Sequence, residues 1–209
     1  MKITRFVGDF AFSLLRIIAS ILFVPLGTPK VRGRDRCPLS GPLLILANHI
    51  SDVDPVVVQM ACPRIIRFMA KEPLFKIRIL GWLIKKMGAF SVKPGSPDRN
   101  AIRAAVTILD SGAAVCVFPE GQLSEDGGLL PLKEGIALIA RMSGARIICL
   151  GLRGTDRILP YGELFPRPSF HRPLCQWGEA RLFPRDSSVA EIMGWAEGQL
   201  RELTGQKTS

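Results

Sequence analysis

Two histidines occur in the chain, His49 and His171, and only the first stands among groups that could work with it. Around it the sequence runs Ala47-Asn48-His49-Ile50-Ser51-Asp52-Val53-Asp54-Pro55. An imidazole changes charge near neutral pH, which suits it to take a proton from a hydroxyl. For that work it needs a carboxylate that fixes the tautomer and holds the ring. Asp52 at i+3 and Asp54 at i+5 both offer one. On a regular helix the i+3 residue would be the neighbour. Pro55 biases Asp54 away from helical angles, so a turn is expected, and in a turn i+5 can fold back onto the ring. Residue types alone leave the two aspartates open. They also leave a plainer alternative, in which an aspartate caps the next helix and His49 is a hydrogen-bonding loop residue.

A second group, Phe118-Pro119-Glu120-Gly121, follows the apolar run Ala113 to Val117. Taken alone it is a strand ending in a Pro-Gly turn. A serine hydrolase is disfavoured because no G-x-S-x-G elbow occurs. A metal centre is not expected, since two distant histidines and five scattered cysteines give no ligand spacing. Cys37, Cys62, Cys116, Cys149 and Cys175 are read as reduced thiols, with Cys116 and Cys149 acting as small hydrophobes inside apolar runs. His171 lies in a polar, proline-rich stretch and is read as a surface residue outside the chemistry.

Both groups follow apolar runs of strand length. Leu43 to Ala47, Ile65 to Met69, Ala89 to Val92, Ala113 to Phe118 and Ile147 to Leu152 are predicted strands. Helical patterns alternate with them. Ser96-Pro97 is expected to open one, with Ile102, Ala105, Val106 and Leu109 as its stripe and Gly112 closing it. Lys133 to Ser143 is another, stopped by Gly144. Ser188 to Glu191 forms a capping box before a last helix. This alternation predicts a single α/β domain with a mixed, largely parallel sheet flanked by helices. Residues 157–186, rich in Pro and Arg, are expected as loops and edge strands. In such folds, sites form beyond the C-terminal ends of strands, where His49 and Glu120 both fall.

The net charge of +10 implies an anionic partner. Residues 1–36 hold seven Lys and Arg against Asp9 and Asp35, a net of +5, around the most apolar stretch of the chain. That pairing points to a membrane surface. No zinc-finger spacing, RNP-like aromatic motif or basic heptad supports nucleic acid as a partner. The unbroken apolar part, Ile17 to Gly27, is shorter than the ~20 residues a spanning helix needs. No signal-peptide cleavage pattern follows it. Residues 1–30 are therefore expected as an N-terminal membrane-interface helix, and 31–209 as the catalytic domain. A buried first helix of the core is the alternative.

Together the two motifs are far more specific than either alone. The H-x4-D box His49 to Asp54, preceded by Asn48, and the F-P-E-G box at 118–121 resemble the glycerolipid acyltransferase family, the one containing bacterial 1-acylglycerol-3-phosphate acyltransferase. Lys71-Glu72-Pro73-Leu74, Met87-Gly88-Ala89-Phe90 and the apolar block Ile147 to Gly154 are similar to that family's other blocks. The resemblance runs from about Val31 to Asp156. It implies that His49 is the base, that Asp54 rather than Asp52 orients it, and that Phe118, Glu120 and Gly121 bind the acceptor. It further implies direct attack of a lysophospholipid hydroxyl on the thioester of acyl-CoA or acyl-carrier protein. These are co-substrates; no cofactor or metal is expected. The setting implied is the cytoplasmic face of a membrane, with lipid as partner. Two positions depart from the pattern. Leu123 stands where the family commonly has an arginine that holds phosphate, and Val92-Lys93-Pro94 stands where it has an Asp-Arg pair. Lys93, Arg99 or Arg103 is then expected to supply a phosphate contact. The changes suit a lysophospholipid with a larger headgroup. A lyso-aminolipid acceptor and a non-catalytic membrane-binding protein of the same fold are the other readings.

Overall fold

The computed structural model describes residues 26–86, 88–93, 98–168 and 172–205. Among the described residues there are seven strands: β1 (Lys30–Arg32), β2 (Leu43–Ala47), β3 (Ile66–Lys71), β4 (Phe90–Val92), β5 (Ala114–Val117), β6 (Arg146–Arg153) and β7 (Leu174–Trp177). Five α-helices accompany them among the same residues: α1 (Asp54–Ala61), α2 (Arg78–Lys86), α3 (Arg99–Asp110), α4 (Gly135–Ser143) and α5 (Val189–Thr204). The strands form one sheet in the order β1-β7-β6-β2-β5-β3-β4. Neighbours from β6 to β4 are parallel; β7 runs antiparallel to β6, and β1 runs with β7. The result is a single α/β domain with a mixed, mostly parallel sheet flanked by helices.

β2 lies at the centre, and all five of its residues, Leu-Leu-Ile-Leu-Ala, are buried. A continuous apolar run is what a strand covered on both faces requires. Side chains alternate across the sheet, so the strand feeds two cores. Leu43, Ile45 and Ala47 face Val57, Val58 and Ala61 of α1. Leu44 and Leu46 face the layer built from α3, α4 and α5. Close packing is visible at Gly151, where a Cβ would run into the backbone of Leu203 on α5.

The long apolar strands fall where the sequence places them, within a residue or two. Some details differ. The cap of α3 is Asp98, whose carboxylate accepts from the amides of Asn100 and Ala101; Ser96 and Pro97 lie outside the described residues. The Ser188 hydroxyl accepts from Glu191 N, but the Glu191 carboxylate pairs with Arg181 at 3.2 Å, so only half of the expected box forms. β7 is not an edge strand: β1 covers it, and β1 is too short and too polar to carry a periodic signal. The expected interface helix lies almost wholly outside the described residues, as does His171. Among the described residues no helix is long and apolar enough to cross a membrane.

Candidate active site

The site is assembled beyond the C-terminal ends of β2 and β5, which are paired in register. Asn48 fixes the exit of β2. Its side chain is buried, donating to Leu152 O (3.0 Å) and accepting from Leu152 N (2.7 Å), so that it extends the β2–β6 ladder by side-chain bonds. The chain then turns, with Asp54 N donating to Ser51 O. Ser51, fully buried, donates from its hydroxyl to Leu159 O at 2.7 Å.

This turn brings Asp54 under His49. One oxygen, Asp54 Oδ2, accepts from Ile50 N and Ser51 N, both at 2.8 Å, and lies 3.0 Å from His49 Nδ1. An oxygen already accepting from two amides requires Nδ1 to carry the proton, which leaves the lone pair on Nε2. Asp54 has no exposed surface, and its Oδ1 is buried without a partner among the described residues. Asp52 is solvent-exposed on the outside of the same turn. Asp54 is the first residue of α1 with Val53 as the N-cap, so its carboxylate serves the preceding loop and the histidine, not the helix it opens.

From β5 comes the other half. The Phe118 ring stacks on the imidazole, centroids 4.1 Å apart and planes 19° from parallel. Pro119 and Gly121 make the chain reverse: Gly121 N donates to Phe118 O, and Gly121 sits at φ 72°, a left-handed angle that favours glycine. Glu120 is 1% exposed. Its Oε1 accepts from His49 N and its Oε2 from Leu130 N, both at 2.8 Å. Ser124 N donates to His49 O, closing a second bond to the histidine backbone. Burial pushes the Glu120 carboxyl above its usual range, while the amides of Leu130 and His49 pull the other way. Both oxygens are thus engaged by the loops; Glu120 holds His49 in place.

A cleft of about 650 Å³ is lined by Lys71, Gln122, Leu123, Glu125, Asp126, Leu130 and Tyr161; His49 is not among these residues, and the link to it runs through Leu130 N, which donates to Glu120, and Ser124 N, which donates to His49 O. Its floor is the 122–130 loop that Glu120 and Ser124 tie to His49. The structure does not bring Lys93 or Arg103 against the His49–Asp54 pair. Lys93 follows β4, one strand further from β2 than Lys71. Arg103 is exposed on α3, across the helix from its buried stripe Ala101, Ala105 and Leu109. Residue types gave no role to Asn48, Ser51, Lys71 or Tyr161. Asn48 and Ser51 act through backbone partners more than 100 positions away, a pairing invisible to local pattern.

A protein-family model described as Acyltransferase matches residues 28–153, a span that contains the H-x4-D turn, the Phe118–Gly121 reversal and the cleft loop. The chain belongs to the acyltransferase family. Relatives within it agree. The chain is 31% identical over 147 residues to the 1-acyl-sn-glycerol-3-phosphate acyltransferase of Bacillus subtilis, covering 69% of this chain and 70% of that one. It is 30% identical over 153 residues to a chloroplastic 1-acyl-sn-glycerol-3-phosphate acyltransferase of Arabidopsis thaliana, covering 72% of this chain and 43% of that one. Against the corresponding chloroplastic protein of Brassica napus it spans 47% of the relative's length; the chain thus covers about half the length of these plant acyltransferases or less. The crystal structure of the 1-acyl-sn-glycerophosphate (LPA) acyltransferase from Thermotoga maritima superimposes with a TM-score of 0.81, covering 100% of this chain and 85% of that one. At 23% identity this likeness establishes a shared acyltransferase fold.

Proposed function

We propose that this chain transfers an acyl group from an acyl thioester, acyl-CoA or acyl-carrier protein, to the free hydroxyl of 1-acylglycerol-3-phosphate or a related lysophospholipid. The observation that carries this reading is the His49 Nδ1–Asp54 Oδ2 bond of 3.0 Å, with the ring stacked on Phe118 and the cleft loop bonded to the His49 backbone through Ser124 N. In the proposed step, Nε2 takes the acceptor's hydroxyl proton as its oxygen attacks the thioester carbonyl. The tetrahedral adduct collapses, the C–S bond breaks, and the thiolate recovers the proton from the imidazolium. Asp54 steadies the imidazolium throughout, and no acyl-enzyme forms. Holding both reactants at the cleft contributes through lost translational freedom, worth roughly 7–11 kcal/mol at best.

For the acceptor phosphate, Lys71 is the cation lining the cleft; Lys93 and Arg103 are not among its lining residues. Leu123, Glu125 and Asp126 on the same wall favour a second reading, an acceptor whose headgroup also carries an ammonium. Such an acceptor would be a zwitterionic lysophospholipid or a lyso-aminolipid. The apolar segment Ile17 to Gly27 is the proposed anchor to the cytoplasmic face of the membrane. The test is acyl transfer from both donors to a panel of lysolipids. Formation of a diacyl phospholipid supports the reading. No product from any donor and acceptor pair, with the fold intact, would overturn it.

A further inference from the structure

Ten large apolar side chains are exposed among the described residues, and half of them fall into two groups near one end of the sheet. Leu74 and Ile77 are exposed in the segment that leaves β3, and Trp82, 62% exposed, follows on α2. Leu164 and Phe165, 86% and 79% exposed, sit in the loop that leaves β6. β3 and β6 run parallel with β2, so both segments emerge at the sheet edge that carries His49. β3 and β6 lie on opposite sides of β2 in the sheet, and both segments reach the cleft: Lys71, at the end of β3, and Tyr161, three residues before Leu164, line it.

The setting of Trp82 is specific. Arg78, Trp82 and Lys86 lie at i, i+4 and i+8 on one stripe of α2, with Lys85 beside them, and all four are exposed. Gly81, next to Trp82, is buried, and a Cβ there would collide with the Phe75 carbonyl, so this flank of the helix is packed on the preceding turn while Trp82 is exposed. From Lys71 to Lys86 the chain has five cations and one acid, Glu72, which pairs with Lys76 at 3.6 Å. An indole among cations, with aliphatic side chains alongside, matches an anionic lipid leaflet. The ring sits at headgroup depth, the aliphatic groups enter the acyl region and the cations meet lipid phosphates.

We propose that Leu74, Ile77 and Trp82 on one side and Leu164 and Phe165 on the other form a two-pronged face. This face seats the mouth of the cleft on an anionic bilayer. It is a contact separate from residues 1–30. It also explains how a lipid could pass from the leaflet to His49 without crossing water. A flat leaflet engages both prongs at once. An acidic carrier protein would also suit the basic stripe, but would not require Leu164 and Phe165 on the other side of β2.

The contact can be read locally in the full chain, without turnover. Of the three tryptophans, Trp177 is fully buried and Trp195 is half-buried against the core, so the part of the quenching by acyl-chain-brominated lipid that depends on Trp82 reports on this face. The vesicles are phosphatidylcholine and phosphatidylglycerol in equal parts. Trp82-dependent quenching is expected in the wild type and should be lost in Trp82→Phe. All five native cysteines are buried, so a Phe165→Cys variant can be labelled selectively with an environment-sensitive dye. Its emission should shift to the blue on these vesicles. Lys85→Glu with Lys86→Glu should weaken the Trp82 contact about tenfold or more. If the chain sediments with vesicles while Trp82 is unquenched and the label unshifted, the two-pronged face does not touch lipid. A dye shift on adding acyl-carrier protein, absent with vesicles, would make the face a protein dock and overturn the proposal. Both failures would leave the acyl-transfer reading standing, since that depends on product formation.

Discussion

The His49 loop and the cleft wall next to it are built in opposite ways. At His49 nearly every polar group has a fixed partner. Asp54 Oδ2 has three, Glu120 braces two loops, Asn48 is tied to β6 and Ser51 to Leu159. Along the cleft, Gln122, Glu125 and Asp126 are exposed. Proton transfer by His49, as proposed, needs the ring held to a fraction of an ångström, and this part of the molecule is over-determined. Recognition of a headgroup needs only complementary charge and shape, so the wall can change without disturbing the base.

Substitutions on the two sides should therefore differ in size and in kind. The largest effect is expected at the base. His49→Ala should lower acyl-transfer turnover by roughly 10²- to 10⁴-fold with an unchanged circular dichroism spectrum. Asp54→Asn should be severely impaired, while Asp52→Asn, on the exposed side of the same turn, stays within about twofold by the same assay. The reverse ranking would break the comparison at its root.

Glu120→Gln comes next. One oxygen remains to accept, and an NH2 group is turned toward the other amide. Stability should fall by roughly 1–3 kcal/mol in denaturant titration, because a buried N–H is left unpaired. Turnover should fall by about one to two orders of magnitude as His49 shifts. The pH dependence has a sign. Folding raises the Glu120 pKa above its ordinary 4.5, so over that window the native state holds the proton more tightly than the unfolded state. Stability from this group is therefore present at low pH and lost as pH rises toward the folded value. Glu120→Gln should remove that decline.

On the cleft side, Leu123→Arg should leave thermal stability unchanged. It should shift competition between acceptors toward 1-acylglycerol-3-phosphate by about one to two orders of magnitude, the worth of a charge-assisted hydrogen bond. The smallest effect is expected at Phe118→Leu. Loss of ring stacking, worth roughly 0.5–1.5 kcal/mol, should lower kcat/KM by about two- to tenfold.

Legibility in the sequence followed the same division. Buried strands and amphipathic helices announce themselves because a core demands unbroken or periodic apolar residues, as at Leu43–Ala47 and Val189–Thr204. β1 escaped because three residues at a sheet edge need no apolar pattern. Residue types left Asp52 and Asp54 open because a turn's path depends on bonds such as Ser51 to Leu159, made by chain more than 100 residues away. Glu120 was legible as important, but whether its oxygens face a ligand or two amides is a three-dimensional fact. Lys71 passed without a role because a lysine ending a strand is ordinary until a cleft opens beside it.

The strand order has a consequence for how the protein is made. β2 precedes β3 and β4 in the chain, yet its neighbours are β5 and β6; β3 and β4 are placed beyond β5. The strand that presents His49 cannot be flanked until Arg146–Arg153 has left the ribosome. Contacts of such sequence separation form late and slowly. If His49 is the base, as proposed, it would thus stay unassembled until about 100 residues beyond it have been made, and acyl transfer could begin only after that.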